Sequence, residues 1–173
     1  ATASHRFRTI DGWVPLGDLH PGSRLSVPRR LEAPIDPVEV DADELVLLAH
    51  LLGDGCVLPR QPIHYTSNDP ANLEAVEAAA ARRFGITPRR VIQESWWHTY
   101  LPAPQHLTHG VRNPISTWWD HLGLRDCRSW QKFVPHLVHQ APLHQVQLFL
   151  RHLWATDGTI SLSASGKGPQ VRI

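Results

Sequence analysis

The chain has 173 residues, 42% of them apolar, with seven Trp and a formal net charge of +1. That size suits one ordinary domain, or one domain plus part of another, and the apolar content excludes a disordered chain. No apolar run reaches the roughly 18 residues of a membrane span, and the charged opening ATASHRFRTIDGW lacks the apolar stretch of a signal peptide.

Met is absent even at position 1, which reads as a chain starting inside a longer polypeptide or cut there. Cys56 and Cys127 are far apart and form no CxxC pair, so they read as free thiols of a reducing cytosol, and a cytoplasmic location is expected. The charge is uneven. Residues 82–132 carry Arg82, Arg83, Arg89, Arg90, Arg112, Arg125, Arg128 and Lys132 against Glu94, Asp120 and Asp126. Such a basic middle fits a polyanion partner, and it fits a solvated basic face equally well.

Residues 1–31 read as short strands and turns, with Asp11-Gly12 and Pro21-Gly22 as turn signals. Residues 32–40 hold two prolines and alternate poorly, as a linker does. Over 41–53, Asp41 or Asp43 caps a helix whose run LVLLAHLL is apolar almost all round, predicting burial on most sides. Strands are expected at 57–58 and 63–67. A helix follows from Pro70 to Gly85, with Leu73, Val76, Ala80 and Phe84 on one face. Strands near 89–93 and 97–101, a short helix at 114–122 and a second apolar helix at 143–155 come next. A strand at 159–163 ends the pattern.

The two apolar helices end alike, LLAHLLGDGCV and LRHLWATDGTI, an internal repeat spaced 103 residues from Asp54 to Asp157. Asp-Gly after a helix is ordinary termination chemistry. A carboxylate at a helix C-terminus nevertheless faces the negative end of the dipole, at a cost of roughly 0.3–1 kcal/mol, and a cation would remove that cost. Two such helices packed in parallel bring both carboxylates to one end, where divalent metal can assist phosphodiester cleavage.

At this point the sequence resembles the LAGLIDADG homing endonucleases carried by inteins. Leu47 to Gly55 matches the first signature helix and Leu150 to Gly158 the second. The resemblance implies an α/β fold of pseudo-two-fold αββαββα repeats, the second incomplete and beginning near 143. In the family the last Asp of each signature binds metal, usually magnesium, which implies that Asp54 and Asp157 are catalytic and hold two or more Mg2+ ions. Backbone carbonyls at Gly53 and Thr156 join them as candidate ligands. Two departures are visible: His152 stands where the second signature has a small residue, and Leu52 and Ala155 replace an acidic position. Lys132, in Lys132-Phe133-Val134-Pro135, matches a further intein-endonuclease motif, which implies a catalytic ammonium suited to an oxyanion or a polarised water.

At the front, Thr2-x-x-His5 with Gly12-Trp13, Leu16, Leu19 and Pro21-Gly22 is similar to an intein splicing block. That implies a partial β-rich splicing (Hint) domain at 1–31, a linker at 32–40 and the endonuclease domain at 41–173, with Thr2 and His5 as splicing residues. The motifs are most similar to those of inteins in bacterial replicative DNA helicases, which implies as partners double-stranded DNA, the rest of the intein and such a host. Arg89, Arg90, His98 and Tyr100 lie on strands that form a DNA saddle in the family, so they are the candidate DNA contacts. The run His136, His139, His144 has few further zinc ligands nearby, and the pairs Trp96-Trp97 and Trp118-Trp119 read more as packing than as base stacking. The expected function is site-specific, metal-dependent DNA cleavage by an intein-borne endonuclease. The alternatives are a decayed insert with a structural role in a splicing element and a DNA-binding module on the same fold.

Overall fold

The computed structural model describes residues 2–27, 32–161 and 170–172. The chain divides into two compact units, 1–33 and 34–173.

In the first unit, β1 (Arg6–Thr9) and β2 (Gly12–Pro15) pair antiparallel around the expected Asp11-Gly12 turn. Gly12 has φ +120, a region that L side chains avoid. The Thr9 hydroxyl ties the turn by donating to the Gly12 carbonyl and accepting from the Asp11 amide. An isolated bridge joins Thr9 to Leu25.

The second unit is a mixed α/β structure. Its first helix, α1 (Ala42–Gly53), begins at Asp41, whose carboxylate accepts from the Asp43 and Glu44 amides. Leu45, Leu47, Leu48, Ala49, His50 and Leu51 are all buried, as a helix apolar all round requires. The helix α2 (Pro70–Phe84) has Asp69 as its cap, Pro70 in its first turn and Gly85 in the left-handed conformation after it. Arg82 and Arg83 of α2 pair with Asp43 and Glu44 of α1.

Four antiparallel strands form one sheet in the order β3 (Gly55–Cys56), β4 (His64–Ser67), β6 (Trp97–Tyr100) and β5 (Arg89–Ile92). The strand expected at 57–58 is instead irregular chain leading into a turn at Pro59 and Arg60. Pro59 and Pro62 cannot donate to a ladder, and Arg60 adopts φ +62, so pairing stops at Cys56 and resumes at His64. After α3 (Pro114–His121) comes a short helix that the sequence reading missed, α4 (His136–Gln140). The last helix, α5 (Leu143–Asp157), runs into β7 (Thr159–Ser161), which pairs with β8 (Gln170–Arg172). The remainder of the strand expected to reach 163 lies outside the described residues.

Residues 34–40, read as linker, are fastened to this second unit. The Gln145 side chain of α5 accepts from the Val40 amide at 2.9 Å and donates to the Val40 carbonyl and Glu39 carboxylate at 2.7 and 2.6 Å. Val38 bonds back to Gln140. The core collects Leu45, Leu48, Tyr65, Leu73, Val76, Ile115, Trp119 and Phe149 from helices and sheet.

Candidate metal and nucleic-acid site

The helices α1 and α5 pack directly on each other, as their large apolar faces predict. Contacts run in the same order along both segments: Val40, just before α1, with Gln145, then His50 with His152, then Gly53 with Thr156. The helices therefore lie parallel, with their C-termini together. The approach at that end is tight: a Cβ on Gly53 would fall 2.1 Å from the Thr156 Oγ1. Asp54 and Asp157 are the next residues in each strand of chain. Asp54 is exposed, caps α1 with its amide on the His50 carbonyl, and accepts at its own carbonyl from Thr66. Asp157 closes α5; its side chain lies outside the described part of the structure.

The glycines after both acids have a packing reason. A Cβ on Gly55 would meet the Leu51 Cα at 2.5 Å, and one on Gly158 would meet the Trp154 carbonyl oxygen at 2.3 Å. In both repeats the chain folds tightly over the last helical turn, and only Gly permits it.

Lys132 sits at the same helix end. Its ammonium donates to the carbonyls of Leu51, Leu52 and Gly55 at 2.8, 3.1 and 2.8 Å. This corrects the electrostatic argument drawn from sequence: an internal cation already offsets the unfavourable end of the α1 dipole beside Asp54, so the dipole alone does not call for a metal. It also gives Lys132 a definite job, holding the backbone that carries Asp54. Cys56 and Cys127, distant in sequence, line one small cavity together with Lys132.

A polar chain of two buried residues and one half-buried residue crosses the helix interface, and the sequence reading missed it. The Nε2 of His50 hydrogen-bonds His152 Nδ1 at 3.0 Å, and its Nδ1 bonds the Tyr65 hydroxyl at 3.1 Å. Burial, and then His152, push the His50 pKa down to about 4, against a weaker upward pull from Asp69. His152 is lowered too, by burial and then by Arg151. His152 thus points into the interface, filling the place of a small residue with a hydrogen-bonding one. The available signal was one histidine in each signature, His50 and His152, each among apolar neighbours such as Leu51 and Leu153.

Register sorts the candidate DNA contacts onto different faces. Arg89, Tyr100 and His64 are cross-strand neighbours, as are Val91, His98 and Thr66. Side chains directly opposite share a face, so these six stand together. The His64 and His98 rings stack at 4.7 Å, and the Arg89 guanidinium lies over the Tyr100 ring at 5.3 Å. Burial, then His64, lowers the His98 pKa. Arg90 belongs to the other face, where its Nε and Nη2 grip Glu77 of α2 at 2.5 and 2.9 Å. The sequence grouped it with Arg89; alternation along β5 separates them. Trp119 is core and Trp118 packs on Phe84, while Trp96 and Trp97 are partly exposed.

The other candidates are simpler. Thr2 and His5 form a small turn, the His5 amide donating to the Thr2 carbonyl at 3.0 Å, with the imidazole edge-on to Phe7. Among the described residues no cluster of three or more His, Cys, Asp or Glu could hold a metal, His136, His139 and His144 included. The described donor at the helix ends is a hard oxygen, the carboxylate of the exposed Asp54, while the Leu51, Leu52 and Gly55 carbonyls beside it are taken by Lys132. That donor fits magnesium, which binds through one or two carboxylates, keeps waters and shares phosphate oxygens.

No protein-family model matches the chain. Over 94% of its length it is 45% identical to a replicative DNA helicase DnaB of Synechocystis sp., and over 98% it is 44% identical to a DnaB of Nostoc sp.. Over 96% it is 27% identical to a RecA protein of Mycobacterium tuberculosis. The chain spans about a fifth of these relatives: 19% of each DnaB and 21% of RecA. Among the described residues no helix is long and apolar enough to cross a membrane.

Proposed function

We propose that the chain is most of an intein-borne, LAGLIDADG-type DNA endonuclease domain, preceded by part of a Hint splicing domain and interrupting a DNA-handling host. The observation that carries this reading is the parallel contact of α1 and α5, tight at Gly53 and Thr156, immediately before the paired acids Asp54 and Asp157. Two carboxylates at one end of a helix pair suit the two strands of a duplex. Magnesium bound there would stabilise charge on a scissile phosphate and lower the pKa of an attacking water. Asp54 supplies a negative, solvent-facing oxygen donor. Lys132 fixes the turn that carries it, and Gly53 allows the two helix ends to approach. Arg89, His98 and Tyr100 offer a cationic and aromatic face for duplex backbone.

The relatives support an insert. Nearly the same span resembles proteins with two different names, DnaB and RecA, and amounts to about a fifth of each. A mobile segment explains such a distribution. The chain contains no G-x-x-x-x-G-K-[ST] stretch, so the likeness brings no phosphate-cradling loop into this part.

The test is a magnesium-dependent cleavage assay on a plasmid carrying the host gene with the segment removed. The parent chain within its intact precursor cuts both strands; Asp54→Asn loses roughly a hundredfold or more in rate while binding DNA as well or better. Parental cutting by the Asn variant, or cutting with all divalent metal chelated, overturns the reading. A second reading, an insert reduced to holding splicing halves together, draws on Lys132, whose three backbone bonds serve structure without catalysis. Normal splicing with no cutting by the parent selects it.

A further inference from the structure

One cleft of about 770 Å3 in the second unit is lined by none of Gly53, Asp54, Lys132 or Thr156 and shares only Arg89 and Tyr100 with the candidate DNA face. It opens between the turn after β3, the ends of β5 and β6, and α3. Its floor is apolar, with Val57, Ile63 and Leu101 buried there, and its rim carries Arg60, Arg89, Arg112 and Arg125 against Asp120 and Asp126. Arg112 is held by Asp120 at 2.5 Å, and Arg125 lies 3.7 Å from both Asp120 and Asp126. The two acids are thus engaged with two arginines, and Arg60 and Arg89 carry the excess positive charge.

Backbone conformation singles out the same place. Among the described residues the only non-glycine positions with positive φ are Arg60 at 62° and Asp126 at 58°, and both line this cleft. A long side chain in the left-handed region is a costly choice, of the kind found at ligand sites. Arg60 is exposed and lines the cleft. The cleft is continuous with the open sheet face through Arg89 and Tyr100, which belong to both.

We propose that this cleft binds a nucleotide, its phosphate on Arg60 and Arg89 and its base against the apolar wall below. Guanidinium forks match phosphate oxygens two at a time, and a flat base fills a slot with an apolar floor. Gln61 and Ser116 in the lining supply neutral donors and acceptors for base edges. The same chemistry is offered by a free mononucleotide and by an unpaired nucleotide of a DNA strand. The row of rings on the adjoining face, His64, His98 and Tyr100, favours nucleotides over an acidic peptide, because stacked rings continue the surface on which bases lie.

The experiment is calorimetric titration of the whole chain with deoxyadenosine 5′-monophosphate at low salt and without divalent metal, so that its outcome is separate from any cleavage at Asp54. Binding should be at least about tenfold tighter than that of inorganic phosphate. Arg60→Asn, which tolerates the left-handed turn, and Ser116→Tyr, which fills the slot, should each weaken it at least about fivefold. Arg60 is exposed, so its variant keeps the test valid even if Ser116→Tyr misfolds. Displacement by a short single-stranded oligonucleotide at much lower concentration assigns the site to a DNA strand; failure to displace assigns it to free nucleotide. The proposal is overturned if phosphate alone binds as tightly, if Arg60→Asn binds like the parent, or if an acidic aromatic peptide displaces the nucleotide more effectively.

Discussion

An imidazole inside an apolar helix pair is tolerated only while neutral, and this makes His50 a source of acid sensitivity. Its pKa of about 4 lies below the ordinary 6.5. Between those values the unfolded chain takes up a proton that the folded chain refuses. Stability from this group is therefore full above about pH 6.5, falls as the pH drops toward 4, and is level below that, with a total loss of up to about 3 kcal/mol. His152, lowered for the same reason, steepens the fall. Urea titrations from pH 7.5 to 4 should show it, and His50→Gln, which keeps polar atoms but does not titrate, should flatten the profile. Equal slopes in parent and variant would remove His50 from the account. Lys132 works in the opposite sense, as a charge the fold requires. Lys132→Met strands the Leu51, Leu52 and Gly55 carbonyls and should cost about 3 kcal/mol in unfolding free energy. A loss under about 0.5 kcal/mol would mean that water replaces the ammonium without difficulty.

At the scale of elements, the joint between α1 and α5 is set by one missing methyl group. Gly53→Ala would drive a carbon into Thr156, whose Oγ1, Cβ and Cγ2 stand at 2.1, 2.7 and 3.1 Å from the added atom. Alanine is the better helix former by about 1 kcal/mol, yet the clash should win and destabilise by about 1–3 kcal/mol. Removing all three atoms with Thr156→Gly should restore stability to the double variant, although glycine alone is poor in a helix. Thermal melts of the four proteins check this; additive losses would mean that the residues do not meet.

The same joint shows what the sequence could and could not disclose. Two helices each ending in Asp-Gly were legible. The first, α1, is buried along most of its length, as its continuous apolar run predicts. The second, α5, read from sequence as equally buried, leaves Leu143 52% and Trp154 42% exposed, because His144, Gln147 and Arg151 interrupt its apolar positions. Pro70 with Asp69, and Gly85, marked the ends of α2 for local reasons. The path after Cys56 was not legible, since Val57 and Leu58 look like strand while Pro59, Arg60 and Pro62 turn the chain. The five-residue α4 offers too few turns for periodicity to register. The His50 to His152 contact was hidden because it depends on how two distant helices rotate against each other, and the backbone task of Lys132 depends on a meeting across 81 residues.

Over the whole molecule, a net charge of +1 conceals a division between charges that are spent and charges that are offered. Arg82, Arg83 and Arg90 are spent on Asp43, Glu44 and Glu77, fastening α2 to α1 and to the sheet. Arg89 stands on the open face against an aromatic ring, which stiffens it without neutralising it. Arg89 and Arg90 are adjacent in sequence and equal in formal charge, so they separate two explanations of the basic segment. If a duplex lies on the open face, Arg89→Ala should weaken binding to random-sequence DNA and lower the slope of log affinity against log salt by about one, the signature of a lost phosphate contact. Arg90→Ala should leave that slope unchanged, because its guanidinium faces α2. It should instead lower unfolding stability by about 0.5–1 kcal/mol, since its side chain and that of Glu77 remain partly exposed. Anisotropy titrations from about 50 to 200 mM salt, paired with urea melts of both variants, read the two effects separately. Equal slope changes for the two variants would mean that DNA senses only the total charge of the segment. A change for Arg90 alone would put the duplex on the helix side of the sheet and overturn the assignment of the open face.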